Sequence, residues 1–65
     1  MISYRPLWET MKHKNITTYA LVEKYHISSA TMSRIRHGGD ITTRTLDDLC
    51  TILDCRVQDI LEYEK

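Results

Sequence analysis

Apolar residues recur along this chain at helical spacing, in short runs separated by residues that start or stop helices. Leu7 and Met11, four apart, define the buried stripe of a first helix over about Tyr4 to Lys14. Ser3 is placed to cap it, and Pro6 in the first turn lacks a donor that the helix does not use there. Asn15 closes this helix and Ile16 anchors the connection onward. Thr17 caps a second helix through Lys24, with Leu21, Val22 and Tyr25 as its apolar positions. Tyr25, His26 and Ile27 alone separate it from the next start signal, Ser28. A third helix runs from Ser29 to about His37 and is stopped by Gly38 and Gly39. Thr42 caps a fourth helix to about Asp54, in which Leu46, Leu49, Cys50 and Leu53 fall at i, i+3, i+4 and i+7. A fifth, from about Val57 to Tyr63, brings Val57, Ile60 and Leu61 to the core. No segment alternates with period two, so the expected fold is all-α, with five short helices in one domain over residues 1–65.

Two helices joined by a three-residue turn form the helix-turn-helix unit, whose second helix enters the DNA major groove. Winding residues 29–37 at about 100° each separates two faces. Thr31, Met32 and Ile35 gather on one side, to pack on the first two helices. Ser29, Ala30, Ser33, Arg34 and His37 gather on the other. That outer face is small and polar near the helix start, which allows close approach to base edges. Arg34 adds a bidentate donor suited to guanine O6 and N7, and the positive helix N-terminus favours nearby phosphate.

Charge sharpens this picture. Nine Lys plus Arg balance nine Asp plus Glu over the 65 residues, but unevenly. Residues 24–44 hold Lys24, Arg34, Arg36 and Arg44 against Asp40 alone, a net of +3. Residues 45–65 hold Arg56 and Lys65 against Asp47, Asp48, Asp54, Asp59, Glu62 and Glu64, a net of −4. A basic middle and an acidic end suit one surface facing an anion and another facing away from it. Ordinary solvated charge is the plain alternative.

A chain this short buries only roughly 60% of its unfolded surface, which leaves little room for a deep catalytic cleft. No nucleophile elbow, phosphate-binding glycine loop or pocketed carboxylate pair is present, so an enzyme is not expected. No run approaches a membrane span and no signal peptide opens the sequence, pointing to a cytoplasmic protein. Cys50 and Cys55 form neither a CxxC motif nor a zinc spacing with His13, His26 or His37. On one continuous helix they would point about 140° apart, so buried apolar thiols are expected rather than a disulfide or metal site.

Singly, the polar residues have plainer roles. Thr17, Ser28 and Thr42 cap helices whatever the function. His26 tolerates a positive φ in a turn, and His37 suits a helix C-terminus. Together, on one face beside a three-residue turn, they point to DNA.

The stretch ITTYALVEKYHISSATMSRIRHGGDITTRTLDDLCTILDCRVQDILEYE resembles the Cro/CI-type, lambda-repressor-like helix-turn-helix domains of phages and bacteria. Its ending, TLDDLCTILDCRVQDILEY, is similar to a compact branch of small stand-alone proteins. The resemblance implies five helices, the third being the reader. It places Ser29, Ala30, Ser33 and Arg34 at base-contacting positions. It places Thr17, Thr18 and Ser28 where helix ends meet the DNA backbone, and Arg36, His37, Thr42, Thr43 and Arg44 where neighbouring phosphates are gripped. Thr18 stands where the family often has Gln, Val22 where it has Ala, and His26 where it has Gly.

The function expected is a sequence-specific double-stranded DNA-binding transcriptional regulator, a repressor acting as a homodimer. Trp8, Tyr63 and the last helix edge are candidates for the dimer contact. The alternative is a protein-binding adaptor or antitoxin that works through the acidic surface. Neither cofactor nor small-molecule ligand is evident.

Overall fold

Helix-start signals are local, and three of them act as the sequence predicts. In the computed structural model, which describes residues 1–65, α1 spans Arg5–Lys14, α2 Thr18–Glu23, α3 Ser29–Arg36 and α4 Thr43–Leu53. Thr17 Oγ1 accepts the Ala20 N–H at 3.1 Å. Ser28 Oγ accepts Ala30 N–H at 3.1 Å and Thr31 N–H at 3.4 Å. Thr42 Oγ1 accepts Thr45 N–H at 3.1 Å. The first helix differs: Tyr4 occupies the cap position and its side chain makes no capping bond. Ser3 lies in a strand instead, although its hydroxyl accepts the Arg5 N–H at 3.2 Å.

Helix ends follow one rule three times. Asn15, Gly38 and Asp54 adopt left-handed φ of 61°, 78° and 50°. Each reversal turns the next amide back onto a carbonyl five residues earlier. Ile16 N–H bonds Met11 O at 3.0 Å, Gly39 bonds Arg34 at 2.7 Å, and Cys55 bonds Cys50 at 3.1 Å. These are Schellman-type ends, in which the two bonded residues also bring their side chains together. The residues so bonded are Met11 with Ile16, Arg34 with Gly39, which has no side chain of its own, and Cys50 with Cys55. The last corrects the expectation that the thiols point apart. Cys55 lies beyond the reversal at Asp54, so helical phase does not govern it.

The predicted fifth helix is a single 3-10 turn, Val57–Asp59, with Arg56 N–H on Asp59 Oδ2 at 3.0 Å. Ile60 is fully buried and Leu61 half-buried, as expected, but Val57 is 49% exposed. The chain then extends as β2 (Glu62–Tyr63), antiparallel to β1 (Ile2–Ser3), pairing Ile2 with Tyr63 and Ser3 with Glu62. The fold is therefore four helices plus a two-stranded clasp rather than all helix. Glu64 N–H bonds Met1 O at 2.8 Å and the N-terminal ammonium bonds Glu64 O. Pairing between opposite ends of the chain leaves no periodic signal in two residues.

One core joins all four helices: Tyr4, Leu7, Met11, Leu21, Ile27, Met32, Ile35, Leu49, Leu53 and Ile60. Thr10 ties α1 to the 3-10 turn through Asp59 O at 2.7 Å. In the turn between α2 and α3, His26 has φ 63°, and Ile27 N–H reaches back to Leu21 O at 2.9 Å. Ile27 is thereby buried and fixes how α3 leaves α2.

Candidate nucleic-acid interface

The two faces of α3 separate as its winding requires. Met32 and Ile35 are 2% exposed against the core, and Thr31 is half-buried. Ser29, Ala30, Ser33 and Arg34 are all exposed, as are Arg36 and His37. The ion pairs of the molecule involve Arg5 and Arg44, which leaves the Arg34 and Arg36 guanidiniums without carboxylate partners.

Arg34 is positioned by its Schellman partner. A Cβ built on Gly39 would lie 2.5 Å from Arg34 Cγ and 3.2 Å from Arg34 O. Only a residue without a side chain lets the arginine stem lie across this point. Gly39 is held from the other side as well, because Tyr4 OH donates to Gly39 O at 2.6 Å. Tyr4 is buried, and burial followed by the nearby Asp40 charge pushes its hydroxyl pKa above the ordinary value. Sequence reasoning missed both residues: Gly39 read only as a helix terminator and Tyr4 only as a helix start. Gly38 beside it carries the positive φ.

Around this face the other predicted residues fall at helix ends. Thr17, Ser28 and Thr42 are exposed, and each spends its hydroxyl oxygen on its own helix. The N–H groups of Ser29, Thr43 and Arg44 precede the first intrahelical bonds and have no helical partner. Thr18 is half-buried, while its neighbour Tyr19, which the apolar pattern did not single out, is 76% exposed. His37 caps α3, with Nδ1 2.8 Å from Ser33 O. A carbonyl only accepts, so Nδ1 carries the proton of this bond. Arg44 Nε lies 3.5 Å from Asp48, one turn along α4, with the arginine 84% exposed.

The acidic segment is partly answered within the molecule. Arg5 binds Glu62 through Nε at 3.1 Å and Nη2 at 2.6 Å, and Glu64 through Nη2 at 2.8 Å. Hydrogen bonding to Glu62, with the charges of Glu62 and Glu64, raises the Arg5 pKa. Exposed apolar side chains gather near the clasp: Ile2 and Tyr63 on the paired strands and Trp8 on α1. No three His, Cys, Asp or Glu residues converge to hold a metal. No helix is long and apolar enough to cross a membrane.

Comparison with known proteins agrees with this architecture. The crystal structure of the transcriptional regulator VanUg (form II) superposes with a TM-score of 0.85, at 24% identity over 94% of this chain and 81% of that one. That likeness is one of fold. No curated protein sequence gives a significant match. The sequence model of the Cro/C1-type HTH DNA-binding domain matches residues 6–65, which takes in α1 from its second residue, the other three helices and the 3-10 turn. The chain belongs to the Cro/C1-type helix-turn-helix DNA-binding domain family.

Proposed function

We propose that this chain is a sequence-specific double-stranded DNA-binding transcriptional regulator, a repressor that acts as a homodimer with α3 in the major groove. The observation that carries the reading is the exposed outer face of α3, small at its start and carrying an arginine without a carboxylate partner. Ser29, Ala30 and Ser33 permit close approach to base edges, and Arg34 supplies a two-pronged donor for guanine. Thr17, Thr18 and Ser28 flank the face and meet the backbone of the duplex. Tyr19 adds a hydroxyl donor beside them. Arg36, His37, Thr42, Thr43 and Arg44 meet the adjoining phosphates, with the free amides at the start of α4 contributing. Because His37 Nδ1 is engaged with Ser33 O, Nε2 is the ring nitrogen left to face a phosphate.

Two copies supply the reading length that one lacks, on half-sites about 34 Å apart. Trp8, Tyr63 and Ile2 are the apolar surface for that contact. Working through the acidic surface as a protein adaptor is the weaker reading. Glu62 and Glu64 already pair with Arg5, and Asp48 with Arg44.

Duplex affinity measured across salt concentrations tests the phosphate contacts. Replacing Arg44 by Ala should weaken every duplex alike and lower the magnitude of the salt slope by about one. A salt-independent wild-type affinity would remove the DNA reading, and an unchanged slope in the variant would remove Arg44 from it.

A further inference from the structure

Away from the α3 face, α4 and the segment after it enclose an open groove of about 490 Å³, lined among others by Leu46, Asp47, Cys50, Cys55, Arg56 and Val57. Both cysteines are free. The helix end brings them together, as Cys55 N–H is bonded to Cys50 O and the side chains of such a pair meet. Both side chains also line the same groove.

The chemistry of this pair narrows its ligand. A structural zinc site takes four ligands, and no third His, Cys, Asp or Glu joins the two sulfurs. Burial keeps both thiols protonated, raising Cys50 and pushing Cys55 up to about 11. Metal cations compete with those protons, and disulfide exchange needs the thiolate. An electrophile that condenses with two neutral thiols and releases water meets neither obstacle, and the apolar sides of Leu46 and Val57 offer a place for an organic group.

We infer that the Cys50–Cys55 groove captures monoorgano trivalent arsenicals, with arsenic bridging the two sulfurs and its organic group against Leu46 and Val57. In the hydrated form, R–As(OH)2 and two thiols give R–As(S–Cys)2 and two waters. Two As–O and two S–H bonds break, and two As–S and two O–H bonds form. The thiol protons leave in the water, and arsenic stays trivalent, so no oxidant is needed.

The test uses phenylarsine oxide at one equivalent with the whole chain, read by intact mass and by competition for affinity. Wild type should carry one phenylarsenic unit per chain, removed by 2,3-dimercaptopropanol. Cys50→Ser and Cys55→Ser should each weaken binding by about a hundredfold or more, since the second bond forms intramolecularly. Circular dichroism should show that both variants keep their helices. Equal affinity in either folded variant would overturn the inference. So would the lack of an adduct on wild type whose two thiols titrate as free.

Discussion

Arg34 owes its place to two residues that touch no DNA in the proposed complex. Its stem crosses Gly39, and Tyr4 holds the Gly39 carbonyl from behind. Arg34→Ala should cost about 1–3 kcal/mol at the cognate site and relax preference at one base pair, measured by binding to single-base variants of that site. Equal loss on every sequence would mean phosphate contact instead. Gly39→Ala should reproduce much of that loss with Arg34 still present, because the new Cβ would force the stem aside. Unaltered base preference in that variant would show that the crossing does not position the arginine. The outer face itself was legible in the sequence, since Ser29, Ala30, Ser33 and Arg34 follow from helical phase alone. The crossing was not, because it needs the left-handed Gly38 to return Gly39 to the last turn of α3.

At the level of elements, α4 carries the largest share of periodic signal and behaves accordingly. Leu49 and Leu53 are 0% and 1% exposed, with Leu46 and Cys50 half-buried at their sides. Leu49→Ala should destabilise the fold by about 2–5 kcal/mol, read from urea melts; a smaller change would mean a different phase for the helix. The end of α4 should make stability pH-dependent. A thiol whose folded pKa is raised stabilises the fold below its ordinary pKa and loses that contribution as pH rises through the folded value. Since Cys55 moves from 9.0 to about 11, the loss falls in that window. Tyr4, raised from 10.0, adds to it at higher pH. The urea midpoint should therefore fall from about pH 8 to about pH 10.5 more in wild type than in Cys55→Ser. Parallel curves would contradict the burial argument. The fifth helix failed for a related reason. Val57, Ile60 and Leu61 imitate a helical stripe, but the chain leaves after one 3-10 turn to pair with its opposite end.

Across the whole molecule, charge and shape divide the labour. The body measures 34 × 23 × 18 Å, small enough that one copy spans about one helical turn of duplex. Basic residues without carboxylate partners sit at α3, while the acidic end folds back on Arg5 and against α1. The same clasp that joins the termini exposes Ile2 and Tyr63 near Trp8, an apolar surface suited to a second copy. DNA reading by α3 is put to the test by selection of bound sites from a random duplex pool at moderate salt, run with wild type and Arg34→Ala. Wild type should enrich an inverted repeat with half-site centres about one helical turn apart, and the variant should lose preference at one position of each half. A pool that emerges unenriched, held only at low salt, would contradict it.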